Sequence, residues 1–361
     1  MTSPEPGSRG AVEGRPSRRT NIADVARLAG VSTGTVSNVL NNPHRVAGPT
    51  RQRVQQVMRD TGFVPNPLAR QLNGAPSTTV GCVVTDLSNP YFAGVARGLE
   101  DGLAELGCLA ITCGSHVDPA RERRSLQMLM EAGVRSVVLN SVEAQPDKVS
   151  FLKSRGIPVT LLDVSEPQGD LCSIGSDWIA GGRFAADHLL DLGHRRIAVL
   201  RYDVDAPTIS DRLIGMGQAT AARGLVPDRV LTQVTIQFPG HIDDWAGLIE
   251  PLLSGPTPCT AFLCCDDMAA ISLLNGLAER GFDVPGDVSV VGYDDRPFAG
   301  LLQPALTTVR PPGYQLGRAA ARLTLAETAG VHDHHQALLA PKLIVRGTSA
   351  SPRDVVPGAR R

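Results

Sequence analysis

The sequence predicts two folds in one chain. A small all-α helix-turn-helix domain comes first, followed by a larger α/β core of two doubly wound parallel-sheet lobes with a ligand cleft. Three observations carry that prediction. Apolar residues between 21 and 63 recur at i, i+3 and i+4, the spacing that lines one face of a helix. From Thr79 onward, strand-like apolar runs alternate with amphipathic helical stretches, the grammar of parallel sheets covered by helices. The third is charge placement. The 361 residues have a net charge of −1, yet residues 1–74 hold ten Arg, no Lys and four acids, a net of +6. The remainder holds 25 bases and 32 acids, a net of −7. A basic head on an acidic body directs the head to a polyanion and leaves the body for another task.

Residues 1–19 are rich in Pro, Gly, Ser and Arg and cannot bury a core, so a disordered basic tail is expected. Arg15, Arg18 and Arg19 there either assist phosphate contact or are simply solvated. Residues 20–65 read as three short helices, on Val25/Leu28/Ala29, Val36/Val39/Leu40 and Val54/Val57/Met58. Asn21 with Asp24 resembles a capping pair. Gly30 suits a turn needing positive φ, Val31 plugs the core, and Ser32 caps the second helix. Two short helices joined by such a turn form a helix-turn-helix. Asn41-Asn42-Pro43 ends the second helix. At 66–77, Asn66 offers a cap, Pro67 a first helical position and Gly74 a stop, before the linker Ala75-Pro76-Ser77. A helix this short is marginal in water by itself and needs something to hold it.

Strand-like runs then occur at Val80–Thr85, Leu109–Thr112, Ser136–Asn140, Pro158–Leu162, Ile197–Leu200, Val230–Thr235, Ala261–Cys265 and Val288–Gly292. Helical patterns such as Phe92–Leu106, Trp178–Leu192 and Met268–Gly281 lie between them. These are too many units for one sheet of usual size, so two lobes are expected, with ligand binding beyond the carboxyl ends of the strands. Aromatics make up only 4% of the chain, so aliphatic and Ala packing must fill the core.

Several function classes find no support. There is no P-loop, no G-x-G-x-x-G after a strand and no G-x-S-x-G elbow, so no enzyme, catalytic residue or cofactor is expected. His332, His334 and His335 lie in VHDHH, a spacing that matches no standard zinc pattern, and read as a solvated polar loop, so no metal is expected either. Seven Cys without a C-x-x-C fit reduced thiols. No apolar run approaches the ~18 residues that span a bilayer, and the N-terminus has no apolar signal core. The expectation is a cytoplasmic protein with no membrane contact.

The second helix carries DNA-reading chemistry. Thr33, Gly34 and Asn38 should face the groove, while Thr35, Ser37 and Asn41 bond phosphates. Asn pairs bidentately with adenine, and the Thr methyl suits thymine. The competing reading is a three-helix protein-interaction module, which the +6 charge of the head disfavours.

Residues 21–72, through NIADVARLAGVSTGTVSNVLNN, TRQRV and GFVPNPLARQL, closely resemble the DNA-binding headpiece of the LacI/GalR family of bacterial transcription repressors. The resemblance continues through SNPYFA, HLLDLGHRRIAVL, DRLIGM, PGDVSVVGYDD, PALTTVRPP and LIVRGTSA, over roughly 330 residues in order. It implies a headpiece, a hinge helix and a two-lobed core like a periplasmic sugar-binding protein. The implied lobes are 78–177 with 296–328 near DNA and 178–295 with 329–350 distal, before a tail at 351–361. It implies a homodimer on a pseudo-palindromic double-stranded operator and a small-molecule effector between the lobes. A sugar or sugar phosphate is the first expectation for that effector and a nucleoside the second.

Carried over by position, Asn21, Ser32, Arg45, Thr50 and Asn66 join the DNA-contacting set. Leu72 becomes an apolar wedge at the minor groove, with Ala69 and Arg70 beside it. Arg212 and Asp294 match the family's ligand-binding Arg and Asp, and Tyr91 and Phe92 its cleft-facing pair. Asp163 resembles a further hydroxyl acceptor, and Phe238 follows by order in the chain. For each, a structural salt bridge or a core aromatic is the competing reading. Cys265 stands where the family often has Asn, which removes a polyol contact. Gly34 replaces a larger base-reading side chain, Asn38 a frequent Arg and Ala47 a capping Ser. A regulator governed mainly by a partner protein, a solute-binding protein and a cleft enzyme are the rival readings.

Overall fold

The chain divides into two units, Met1–Ser77 and Thr78–Arg361. The computed structural model describes residues 20–64, 76–140, 146–164, 171–204, 206–237, 245–254, 257–329 and 333–353. The expected tail at 1–19, residues 354–361 of the expected tail at 351–361, and the expected hinge helix, with Asn66, Ala69, Arg70 and Leu72, lie outside the described residues.

In the first unit, α1 (Ile22–Ala29), α2 (Thr33–Asn41) and α3 (Gly48–Asp60) surround a core of Val25, Ala26, Ala29, Val36, Val39 and Val54. Asn21 and Asp24 complete a reciprocal capping box at α1. Gly30 closes that helix at φ 63°, a left-handed position that glycine adopts without a Cβ clash. The backbone then turns, and Ser32 caps α2 by accepting from Thr35 N–H at 3.1 Å. A single 3₁₀ turn (Pro43–Arg45) leads to α3, whose N-cap, Ala47, makes no side-chain capping bond. Leu28, expected in the core, is 52% exposed on α1.

The second unit runs β1 (Thr79–Val84), α4 (Pro90–Glu105), β2 (Leu109–Gly114), α5 (Pro119–Glu131), β3 (Val137–Leu139), α6 (Pro146–Lys153), β4 (Val159–Leu162) and β5 (Ser173–Ser176). It continues α7 (Trp178–Asp191), β6 (Ile197–Tyr202), α8 (Pro207–Ala221), α9 (Pro227–Val230), β7 (Leu231–Ile236), α10 (Trp245–Leu253), β8 (Ala261–Cys264), α11 (Asp267–Glu279) and β9 (Ser289–Tyr293). It closes with β10 (Thr307–Arg310), α12 (Gly313–Glu327), β11 (Gln336–Leu339) and β12 (Lys342–Ile344). Two sheets result, ordered β11-β5-β4-β3-β1-β2 and β12-β10-β9-β8-β6-β7. Every strand pairing is parallel except β10 with β12. Central strands are buried along their length because helices cover both faces, so they read as apolar runs rather than alternations.

The lobe boundaries expected after residue 295 need correction. β10, assigned to the first lobe, pairs with β9 (Thr307↔Val291) and belongs to the second sheet. β11, assigned to the second lobe, pairs with β5 (Ala337↔Ile174) and belongs to the first. The last two crossings therefore fall between β10 and α12, and between β11 and β12. Pro311-Pro312 and Pro341 mark both, since proline cannot continue a ladder.

Helix α7 packs directly on α8 because Gly182 offers no side chain. A Cβ there would overlap the Arg212 carbonyl. Among the described residues, no helix is long and apolar enough to cross a membrane.

Candidate functional site

Two surfaces gather the expected residues, one in each unit. In the first, α2 turns Val36 and Val39 inward and leaves Thr33, Gly34 and Asn38 exposed along the opposite face. Thr35, Ser37 and Asn41 flank that face and are half-buried. Ser32 and Thr35 share a hydroxyl bond at 3.0 Å, and Asn41 donates to Ser37 at 3.3 Å. Asn41 Oδ1 is buried without a hydrogen-bond partner among the described residues. The side-chain oxygen of Asn21 is occupied by the Ala23 and Asp24 amides. Arg45 is exposed on the 3₁₀ turn and Thr50 is half-buried in the first turn of α3. The arrangement is a capped helix with small polar side chains and a free N-terminal face, carried by an Arg-rich domain. It is fit to meet phosphates and base edges.

In the second unit, the carboxyl ends of both sheets converge. From the first sheet, Asp163 follows β4 at φ 54° and is 8% exposed. Its Oδ2 accepts from the Tyr91 hydroxyl at 2.5 Å and its Oδ1 from Ser176 N–H at 2.9 Å. Burial pushes the Asp163 carboxyl up to about 6. The Tyr91 hydrogen bond, the Ser176 amide and the Arg212 charge hold it from rising further. Tyr91 itself is raised well above its usual value, by burial first and by the facing carboxylate second.

From the second sheet, Asp294 follows β9 at φ 103°, an outlying conformation for a residue with a Cβ. Burial lifts its carboxyl to about 6, and Arg212 is the main opposing influence. The neighbouring Asp295 is already taken, paired with Arg310 and Arg346. Asp295 is thus held in ion pairs of its own lobe, whereas Asp294 faces Asn89 of the other. Arg212 donates to the Cys265 carbonyl at 2.6 Å, and its guanidinium stacks 3.7 Å from the Tyr293 ring centroid and 4.6 Å from Trp178. Among the described residues, Arg212 Nε and the Tyr293 hydroxyl are buried without hydrogen-bond partners. Such groups are costly unless something else satisfies them.

The two halves are joined. Asn89, ahead of α4, donates to Asp294 across the cleft at 3.4 Å. An aromatic chain runs Phe92–Tyr91–Trp178–Tyr293, with centroid separations of 5.0, 5.6 and 5.8 Å. Arg296 reaches Asp266 at 3.3 Å and Asp294 at 3.7 Å. Asp267 lies beneath, accepting from Thr308 Oγ1 and Arg296 N–H, each at 2.6 Å, and its buried carboxyl is lifted to about 7. Cys265 contributes its backbone carbonyl; its thiol, pushed up to about 12 by burial, stays protonated and neutral.

Of the expected cleft residues, Tyr91, Phe92, Asp163, Arg212 and Asp294 come together, and Phe238 lies outside the described residues. Sequence reasoning missed Trp178, Tyr293, Asn89 and Arg296. One signal was available: the chain has only two Trp, and one of them opens α7 where the chain enters the second lobe.

A helix-turn-helix domain in one chain with a two-lobed α/β core, whose polar groups converge between the lobes, defines a ligand-responsive DNA-binding regulator. Comparison with known proteins gives that class its family. Residues 21–66 match the family described as bacterial regulatory proteins, lacI family, and residues 186–349 match the periplasmic binding protein-like domain. The ribose operon repressor of Escherichia coli (strain K12) is 31% identical over 331 residues, covering 91% of this chain and 99% of that protein. Among solved structures, the lac repressor dimer bound to operator and the anti-inducer ONPF is similar with a TM-score of 0.80 and 26% identity. That likeness covers 92% of this chain and 100% of the other. A complex of the transcriptional regulator CelR with cellobiose is similar at a TM-score of 0.66 and 29% identity, with coverage of 92% and 100%. The chain belongs to the lacI family and is a DNA-binding repressor with an effector-binding core.

Proposed function

We propose that this repressor binds a pseudo-palindromic operator as a homodimer in the cytoplasm and releases or tightens on it when a neutral sugar enters the interlobe cleft. The observation that carries the sugar reading is the Arg212 guanidinium set among the buried carboxyls of Asp163 and Asp294, one from each lobe, beside Tyr91 and Trp178. Carboxylates and a guanidinium fork grip vicinal hydroxyls, and aromatic rings cover the apolar face of a pyranose or furanose. Four acids, Asp163, Asp266, Asp267 and Asp294, against two guanidinium groups, Arg212 and Arg296, oppose a phosphate group, so a neutral sugar is favoured over a sugar phosphate. The names of the ribose operon repressor and of the cellobiose complex agree with this class. Phe92 and Phe238 complete the apolar wall in this reading.

On DNA, Thr33, Gly34 and Asn38 meet base edges, while Asn21, Ser32, Thr35, Ser37, Asn41, Arg45 and Thr50 hold phosphates. In the linking segment, Asn66, Ala69 and Arg70 flank the minor groove and Leu72 wedges a base step. Two-fold pairing supplies two headpieces to two half-sites. Exposed Leu109 and Ile111 on edge strand β2 support pairing with a second copy, because an unpaired apolar edge is otherwise a liability. The effector acts by favouring one arrangement of the lobes, and it shifts operator affinity only as far as it discriminates between arrangements.

The test is a thermal-shift screen of neutral sugars, sugar phosphates and nucleosides, followed by anisotropy on labelled DNA from the chain's own promoter. A neutral sugar at 100 times its Kd should stabilise the core by about 2.7 kcal/mol and alter promoter affinity. Binding of a sugar phosphate or a nucleoside alone overturns the ligand class. Binding to DNA without sequence preference overturns the operator reading.

A further inference from the structure

We propose that Cys172, Glu327 and His334 form a divalent-metal site of the zinc type at the edge of the first sheet. One ligand atom from each lies within 4.8 Å of the other two, a thiol sulfur, a carboxylate oxygen and an imidazole nitrogen. The three come from separate elements. Cys172 stands at the amino end of β5, Glu327 ends α12, and His334 precedes β11. The site is thus at the end of the sheet opposite Asp163 and the effector cleft. It does not depend on the reading of that cleft.

Chain spacing could not reveal this cluster. VHDHH matches no zinc motif because two of the three ligands lie far away in sequence, at 172 and 327. Parallel pairing of β5 with β11 brings them together: Ser173 N–H donates to the His335 carbonyl at 2.9 Å, and His335 N–H to Cys172 Sγ at 3.4 Å. Glu327 Oε1 accepts from Cys172 N–H at 2.7 Å and lies 3.2 Å from His334 Nδ1. These backbone hydrogen bonds fix the sulfur and the carboxylate before any metal arrives.

The donor set selects the ion. Thiolate with imidazole and carboxylate suits Zn²⁺, whereas Mg²⁺ and Ca²⁺ take oxygen ligands. The Cys172 side chain is buried and Glu327 nearly so, while His334 reaches solvent. Three protein ligands leave a fourth position for water on the His334 side. Placing a thiol beside a carboxylate in a dry setting disfavours the thiolate, and a dication reverses that balance. On binding, the thiol proton leaves to solvent and the S–metal bond forms, with no redox change. The ion would tie the end of α12 to the start of β11, both in the first lobe, just before the chain's last crossing.

The test uses the full chain, stripped with chelator and titrated with Zn²⁺ or Co²⁺ alone. About one ion per chain should bind with release of a proton. Co²⁺ should give a near-ultraviolet thiolate-to-metal charge-transfer band. His334→Ala, at an exposed position, should weaken Zn²⁺ binding at least about tenfold, since even outer-shell partners are worth that much. Cys172→Ser should abolish the band, and Cys113→Ser should keep it. No band in the unaltered chain, a band that survives Cys172→Ser, or unchanged Zn²⁺ affinity in His334→Ala each overturns the proposal.

Discussion

Arg212 makes the cleft more than a gap between two sheets. Its guanidinium lies on two aromatic faces and donates to a main-chain carbonyl, while its Nε has no partner among the described residues. Arg212→Ala should abolish the effector response and leave operator affinity in the absence of effector within about twofold, read by anisotropy with and without sugar. Loss of both together would make Arg212 a structural residue. The acids set a pH dependence. Asp163 and Asp294 titrate near 6 in the folded chain, above the roughly 3.9 of an unfolded Asp. Between about pH 4 and 6 the folded state therefore holds more protons, so these two groups make stability fall as pH rises through that window. Their ionised forms are the stronger acceptors for hydroxyls, so sugar affinity should fall as pH drops below about 6, measured by calorimetry. Arg212 and Asp294 were singled out because each matches a family position inside a motif. Asn89, inside SNPYFA, and Trp178 were passed over, because their contacts with Asp294 and Tyr91 form only where the two lobes meet.

Elements fix how firmly these residues are held. The helix α2 is short, and its entry depends on one hydroxyl, since Ser32 satisfies the Thr35 amide. Ser32→Ala should cost the headpiece about 1 kcal/mol, visible as a lower melting temperature for the first unit and weaker DNA binding at unchanged sugar affinity. Capping signals of this kind are local, which is why the starts of α1 and α2 could be read from residue types, whereas α3, whose N-cap Ala47 makes no capping bond, was read from the spacing of Val54, Val57 and Met58. In the core, runs such as Val288–Gly292 were equally plain. β5 and β11 were not. Ser173-Ile174-Gly175-Ser176 is buried throughout yet lacks an apolar run, and Gln336–Leu339 is an edge strand with exposed positions. β5 joins the sheet beside β4, and β11 joins it through β5, long-range pairings that no local pattern encodes. The misplaced lobe boundary follows from the same blindness.

At the scale of the whole molecule, charge is divided as function is divided. The net +6 of residues 1–74 and −7 of the remainder mean that phosphate contact should be confined to the first unit. Binding then releases counterions in proportion to the phosphates neutralised there, and affinity falls steeply with salt. A single headpiece cation and a single core cation should therefore behave differently. Arg45 is exposed beside α2. Arg318 belongs to the core and forms a forked pair with Glu105 at 2.7 and 2.9 Å. Arg45→Ala should reduce the slope of log K against log salt by about 1 per headpiece engaged, weakening operator and random DNA alike. Arg318→Ala should leave the slope unchanged, because a cation held by its own carboxylate neutralises no phosphate and so displaces no counterion from the duplex. Titrations of both variants at four salt concentrations decide the matter. Equal slopes for Arg45→Ala and the unaltered chain would remove Arg45 from the phosphate-contacting set. A lower slope for Arg318→Ala would mean that the acidic core also touches the duplex.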